Sequence, residues 1–237
     1  MTSIEEILTK RLFDNDPPDN PQFSSYLVRA MCAIAIFSKG FTASTPQATE
    51  IFRNVLKLEI QALQLLPMND NIRSKVTFFL HRMIECMQKD IFPYLPNILE
   101  QILHPLPSTP SFVGVTRIVN QLITRFKNDF FPILDHILFE QIVQKLFAFH
   151  QTLEDVSEQK ELQKSYFFLI QGVCQNKLTA VFFTERNSKY FPQFFETIIQ
   201  GASAKSTDSA KVFYLPSPLP YPSSLFIFFS NLFYSFY

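Results

Sequence analysis

The chain has 237 residues, 21 acidic and 21 basic side chains, 4 glycines, 16 prolines, 28 phenylalanines and no tryptophan. Glycine scarcity excludes phosphate-cradling loops and hairpin-rich sheets, both of which need backbone at positive φ. The three cysteines, Cys32, Cys86 and Cys174, each lie inside an apolar run and are odd in number, which excludes a disulfide framework and places the chain in a reducing compartment.

In chain order, residues 3–13 carry a capping box, Ser3 with Glu6 three positions on, and predict a short helix. The stretch DNDPPDNPQ (14–22) is an acidic, proline-broken linker, and residues 1–21 hold five carboxylates against Lys10 and Arg11. No basic-then-apolar leader precedes it, which points to cytosol or nucleus. From 22 to about 130 the balance is mildly basic. A helix over about 22–38 is apolar on nearly every face and is expected to be buried, ending at Lys39-Gly40. Thr45-Pro46 then opens a helix to about Leu66, with Phe52, Val55, Leu56, Leu63 and Leu66 inward and Arg53, Lys57, Gln61 and Gln64 outward.

A pair pattern follows. A long helix over 71–88 precedes Lys89-Asp90 and a second helix in IFPYLPNILEQIL; another over 111–126 precedes Lys127-Asn128-Asp129 and FFPILDHILFEQIVQKL. Phe92-Pro93 aligns with Phe131-Pro132 and Ile98-Leu99 with Ile137-Leu138, at a constant offset of 39 residues. A third copy, KYFPQFFETIIQ at 189–200, comes 60 residues after the second, with EDVSEQKE (154–161) absorbing much of the difference. The prolines are expected in the first turns of the second helices, with an aspartate capping them. Helix pairs recurring near 40 residues define an all-α, HEAT-type α-solenoid of stacked antiparallel pairs, since one pair cannot cover its own apolar face.

Residues 212–237 carry no charge, have four prolines within 216–222, and end in a thirteen-residue aromatic run from Leu225 that is too short to span a bilayer. They read either as a membrane-associating tail or as sequence foreign to the solenoid. The foreign reading is preferred, because Ala210-Lys211-Val212 starts like a repeat helix that does not continue. The organisation expected is an N-terminal helix and linker (1–21), a solenoid (22–211) and an aberrant tail (212–237).

Candidate chemistry is sparse. His81, Glu85 and Cys86 share a helix, but no second ligand cluster accompanies them, so they read as a surface group and no metal site is expected. Asp14, Asp16 and Asp19 lack the glycine and terminal glutamate of a calcium loop. No nucleophile elbow or nucleotide loop occurs, and no catalytic residue, cofactor or small-molecule substrate is expected. Arg53, Lys57, Arg73, Lys75, Arg125 and Lys127 are the candidate phosphate contacts; each also fits an ordinary solvated helix face.

The segments VTFFLHRMIECM (76–87) and FPYLP (92–96) resemble the exportin-T (tRNA exportin) family of the importin-β/karyopherin group. AIAIFSKGF (33–41), IVNQLITRFK (118–127), LQKSYFFLIQGV (162–173) and TIIQGA (197–202) support the resemblance in collinear order over about 22–211. It implies a receptor segment that binds tRNA together with Ran-GTP, shuttles between nucleus and cytoplasm and meets nuclear pore proteins, without catalysis and without membrane. The resemblance implies N-terminal repeats beyond those present here, and another helix past Lys211. The alternative from the same architecture is a protein-interaction scaffold that binds no RNA.

Overall fold

A computed structural model describes residues 21–40, 46–105 and 108–203. The predicted helix at 3–13, the Thr45 cap and the 212–237 tail lie outside these residues. Among the described residues every element is helical: α1 (Pro21–Phe37), α2 (Pro46–Leu65), α3 (Asp70–Met87), α4 (Leu95–Leu103), α5 (Thr109–Phe126), α6 (Phe131–Ile137), a π-helical segment (Leu138–Val143), α7 (Gln144–Thr152), α8 (Val156–Gln175) and α9 (Phe191–Ser203). The starts follow local chemistry. Asn69 Oδ1 accepts from Ile72 N at 3.1 Å to open α3, and Ser108 Oγ accepts from Ser111 N at 3.3 Å to open α5.

The helices pack in two layers. Helices α1, α3, α5 and α8 lie side by side in that order, while α2 and α4 pack together in the other layer. Contacts between α3 and α5 step the same way along both helices, Arg73 to Ser111, His81 to Gln121, Glu85 to Arg125, so the first-layer helices are parallel and each hairpin is antiparallel. The shared core runs from Leu27 to Ile198 without a break and includes Phe79, Phe112, Phe130, Phe139 and Tyr166. Full burial of each such side chain contributes about 1.5–3 kcal/mol relative to exposure. This is the stacked-pair solenoid that the periodicity predicts.

The 39-residue repeat has a backbone counterpart. Gln88 (φ 49°, ψ −126°) and Lys127 (φ 48°, ψ −122°) end α3 and α5 in the same left-handed kink. The chain then enters 3₁₀ turns, Gln88–Tyr94 and Lys127–Phe130. Pro132 and Pro192 occupy the first turns of α6 and α9, as expected, but Pro93 lies within the 3₁₀ turn and α4 begins at Leu95. The aspartates do not cap these helices. Asp90 instead faces Arg53 on α2 at 3.8 Å, and Asp129 faces Lys89 in the preceding corner at 2.7 Å, so each aspartate links its corner to the preceding repeat.

Three further expectations change. Residues 154–161, expected to absorb the extra length between copies, instead open a helix: Asp155 Oδ1 accepts from Ser157 N (2.6 Å) and Glu158 N (3.3 Å), so α8 begins at Val156. The third repeat's second helix runs through α6, the π segment and α7 as one rod, and α9 packs beside its later half. Gln144 meets Gln193 and Glu140 meets Lys189, pairs 49 residues apart, although the sequence copies are 60 apart. The difference, about three helical turns, is the length the rod gains over α4. Finally, α1 is not buried all round: Leu27, Met31, Ala35 and Ser38 face inward, but Tyr26, Ile36 and Phe37 are exposed.

Candidate nucleic-acid interface

The six candidate cations divide sharply. Arg73 is 4 % exposed and turned inward. Its guanidinium donates to Ile102 O (2.5 Å), Pro67 O (3.0 Å) and Ser111 Oγ (3.1 Å), tying the start of α3 to the end of α4 and the start of α5. Burial pulls its pKa down and Asp70 opposes that shift. No phosphate reaches a group so enclosed; Arg73 is a structural fork and not a contact residue.

Arg53 and Arg125 are half open but engaged. Arg53 pairs with Glu50 at 2.9 Å and with Asp90, and Arg125 lies 3.9 Å from Glu85. Lys57 and Lys127 are exposed and Lys75 is half-buried, and among the described residues none of the three side chains has a hydrogen bond or ion pair. The six do not converge on one patch. Arg53 and Lys57 lie on α2 in the second layer, Arg73 and Lys75 at the start of α3, and Arg125 and Lys127 at the opposite end of the first layer, in the last turn of α5 and just past it.

The fold brings together a set that the sequence spacing hides. On the solvent side of the first layer, Phe78 on α3 and Phe168 on α8 are 43 % and 45 % exposed, and Arg117 on α5 is exposed. The register fixes their level. A methyl added at Gly114 would meet Thr77 Cγ2 at 3.2 Å, and Thr116 hydrogen-bonds Ser165, so Phe78, Arg117 and Phe168 stand abreast on three adjacent helices. Lys164 Nζ lies 5.9 Å from the Phe168 ring centroid. Lys75 is one turn from Phe78. Cations that take phosphate and rings that stack on bases are the two components of single-strand or loop recognition. Residues 39 to 51 apart can be seen as neighbours only once the helix register is known.

His81 and Glu85 are bridged from the next helix. His81 Nδ1 and Gln121 Oε1 are 2.5 Å apart, and Gln121 Nε2 donates to Glu85 Oε1 (2.9 Å) and His81 O (3.1 Å). Burial lowers the His81 pKa, with Gln121 opposing, which favours the neutral ring. Cys86 is buried and Cys32 and Cys174 half-buried, none of them in a disulfide, and burial pushes the Cys174 thiol up to about 11, an unreactive state. Among the described residues no group of three His, Cys, Asp or Glu side chains could hold a metal ion, and no helix is long and apolar enough to cross a membrane.

Stacked helix pairs with polar corner ladders and an aromatic–basic outer face define a helical-repeat protein. The chain belongs to the Exportin-T family, whose model matches residues 2–213. It is 28 % identical over 229 residues to Exportin-T of Dictyostelium discoideum, covering 88 % of this chain and 21 % of that protein. It is 30 % identical over 186 residues to Exportin-T of Arabidopsis thaliana, covering 72 % and 18 %, and 23 % identical over 189 residues to that of Mycosarcoma maydis, covering 76 % and 17 %. The chain therefore spans about a fifth of the length of these relatives.

Proposed function

We propose that this chain forms part of a nuclear export receptor surface for tRNA, binding it together with Ran-GTP, shuttling between nucleus and cytoplasm and meeting nuclear pore proteins on the way. The observation that carries the reading is membership of the Exportin-T family over residues 2–213. The surface supports it. Lys57, Lys75 and Lys127 are cations without a protein partner among the described residues, and Arg53 and Arg125 can exchange exposed carboxylates for phosphate at small cost, since such pairs contribute about 0–1 kcal/mol. Arg117 and Lys164, beside Phe78 and Phe168, add a second contact strip on the first layer.

The test is titration of labelled tRNA with the full chain and Ran-GTP at about 50 mM and about 200 mM salt. Neutralising six or more phosphates weakens affinity by about 10³-fold or more over that range. Absence of binding at the lower salt, or binding that ignores salt, overturns the proposal and leaves a protein-interaction scaffold.

A further inference from the structure

The two layers carry opposite charge. The first-layer helices α1, α3, α5 and α8 hold eight lysines and arginines against four carboxylates. The second-layer helices α2, α4, α6, the π segment, α7 and α9 hold three against six. Of the eight first-layer cations only Arg73 is buried. Attraction for a polyanion is therefore concentrated on the first layer.

The rings on that layer narrow the partner. Beyond the first turns of α3, α5 and α8, the large apolar side chains left exposed are Phe78 and Phe168. Neither belongs to an apolar patch. Arg117 stands between them, Ser74 and Lys75 lie one turn before Phe78, and Lys164 lies one turn before Phe168. A protein partner docks on contiguous apolar surface, which two rings separated by a guanidinium do not supply. Adjacent helices pack about 8–10 Å apart, so the rings stand roughly 16–20 Å from each other across α5. That spacing suits a short strand lying across the helices, with a base on each ring and its phosphates over Arg117. In a duplex the base faces are stacked on their neighbours and closed to a protein ring, so a duplex offers this surface its phosphates alone. The Arg117 and Lys164 side chains have no hydrogen bond or ion pair among the described residues, so neither has to leave a carboxylate to take a phosphate. Lys164 Nζ, 5.9 Å from the Phe168 ring centroid, is placed to meet the backbone of a base stacked there.

We propose that the first-layer face holds unpaired nucleotides of the RNA partner, one base stacked on Phe78, another on Phe168, and the phosphates between them on Lys75, Arg117 and Lys164. That the polyanion is RNA rests on the export-receptor reading; the face and the unpaired state come from the rings and their cations. The test is titration of the full chain at about 50 mM salt with a labelled, unstructured RNA of about 12 nucleotides and with the same strand annealed to its complement, beside tRNA with Ran-GTP. Phe78→Leu and Phe168→Leu keep most of each side chain's bulk and remove the aromatic face; because both rings are half exposed, the melt should not change. Each should weaken single-strand binding about 5- to 150-fold and leave duplex binding within about twofold. Arg117→Gln should make the salt slope of single-strand binding shallower by about 0.7. Leucine variants that bind the single strand as well as the parent, or a parent that binds the duplex as tightly as the single strand, overturn the proposal, and tRNA binding by the same chain then leaves the export reading standing. Ring-dependent single-strand binding by a chain that ignores tRNA supports the proposal and overturns the export reading instead. Absence of single-strand binding by the parent also overturns the proposal.

Discussion

Replacing Arg73 by methionine separates a structural cation from a binding one. The guanidinium satisfies a carbonyl in the last turn of α4, a turn carbonyl before α3 and the Ser111 hydroxyl, all in a nearly enclosed site. Hydrogen bonds to a charged group contribute about 1.5–3 kcal/mol each, but the three share one side chain and are not additive. Methionine keeps most of the packed volume and removes all three donors, so a loss of about 3–5 kcal/mol is expected. With a urea m-value near 2–3 kcal/mol/M, the midpoint should fall by roughly 1–2 M, read by far-ultraviolet circular dichroism. Arg73→Lys should recover only part of this, because an ammonium cannot fork to three acceptors. An Arg73→Met chain of unchanged stability that binds tRNA less well would refute the assignment.

Other outcomes follow from the same structure. Gln88→Gly should stabilise the chain by about 1–2 kcal/mol, measured as a higher urea midpoint, since glycine relieves a left-handed kink at an exposed position. Glu59 is buried without a hydrogen-bond partner among the described residues, and burial first, then Cys32, raises its pKa well above the ordinary value. The folded state therefore holds this proton more tightly than the unfolded state. Its contribution is fully present below the unfolded carboxyl pKa and is lost as pH rises toward the folded one; Glu59→Gln should flatten that fall in a pH series of melts. A Cβ at Gly172 would overlap Asn120 Oδ1, the end of a side chain that can turn aside, so Gly172→Ala should cost about 1 kcal/mol by denaturant melt, and less in an Asn120→Ala background.

The repeat architecture was legible because it is written locally. Apolar residues at helical spacing, Phe-Pro at 92–93 and 131–132, and polar corners between them fix helices and their pairing before any contact is known. What the sequence could not supply depends on register. Similarity aligns Phe131-Pro132 with Phe191-Pro192, whereas packing sets Glu140 beside Lys189, because α6, the π segment and α7 form a longer rod than α4. Arg73 reads as a solvated cation near a helix start; that three acceptors from other elements converge on it is a tertiary event. The all-round apolar pattern of α1 calls for cover but does not name it. Phe78, Arg117 and Phe168 meet only across three helices, so no linear motif announces them.

The most direct measurement is the salt slope of tRNA binding in the presence of Ran-GTP, for the full chain and for its Lys57→Gln, Lys75→Gln, Lys127→Gln variant. Each lost phosphate contact should reduce the log–log slope by about 0.7–0.9. The account predicts a slope shallower by about 2–3 units with an unchanged melt. An unchanged slope would contradict it.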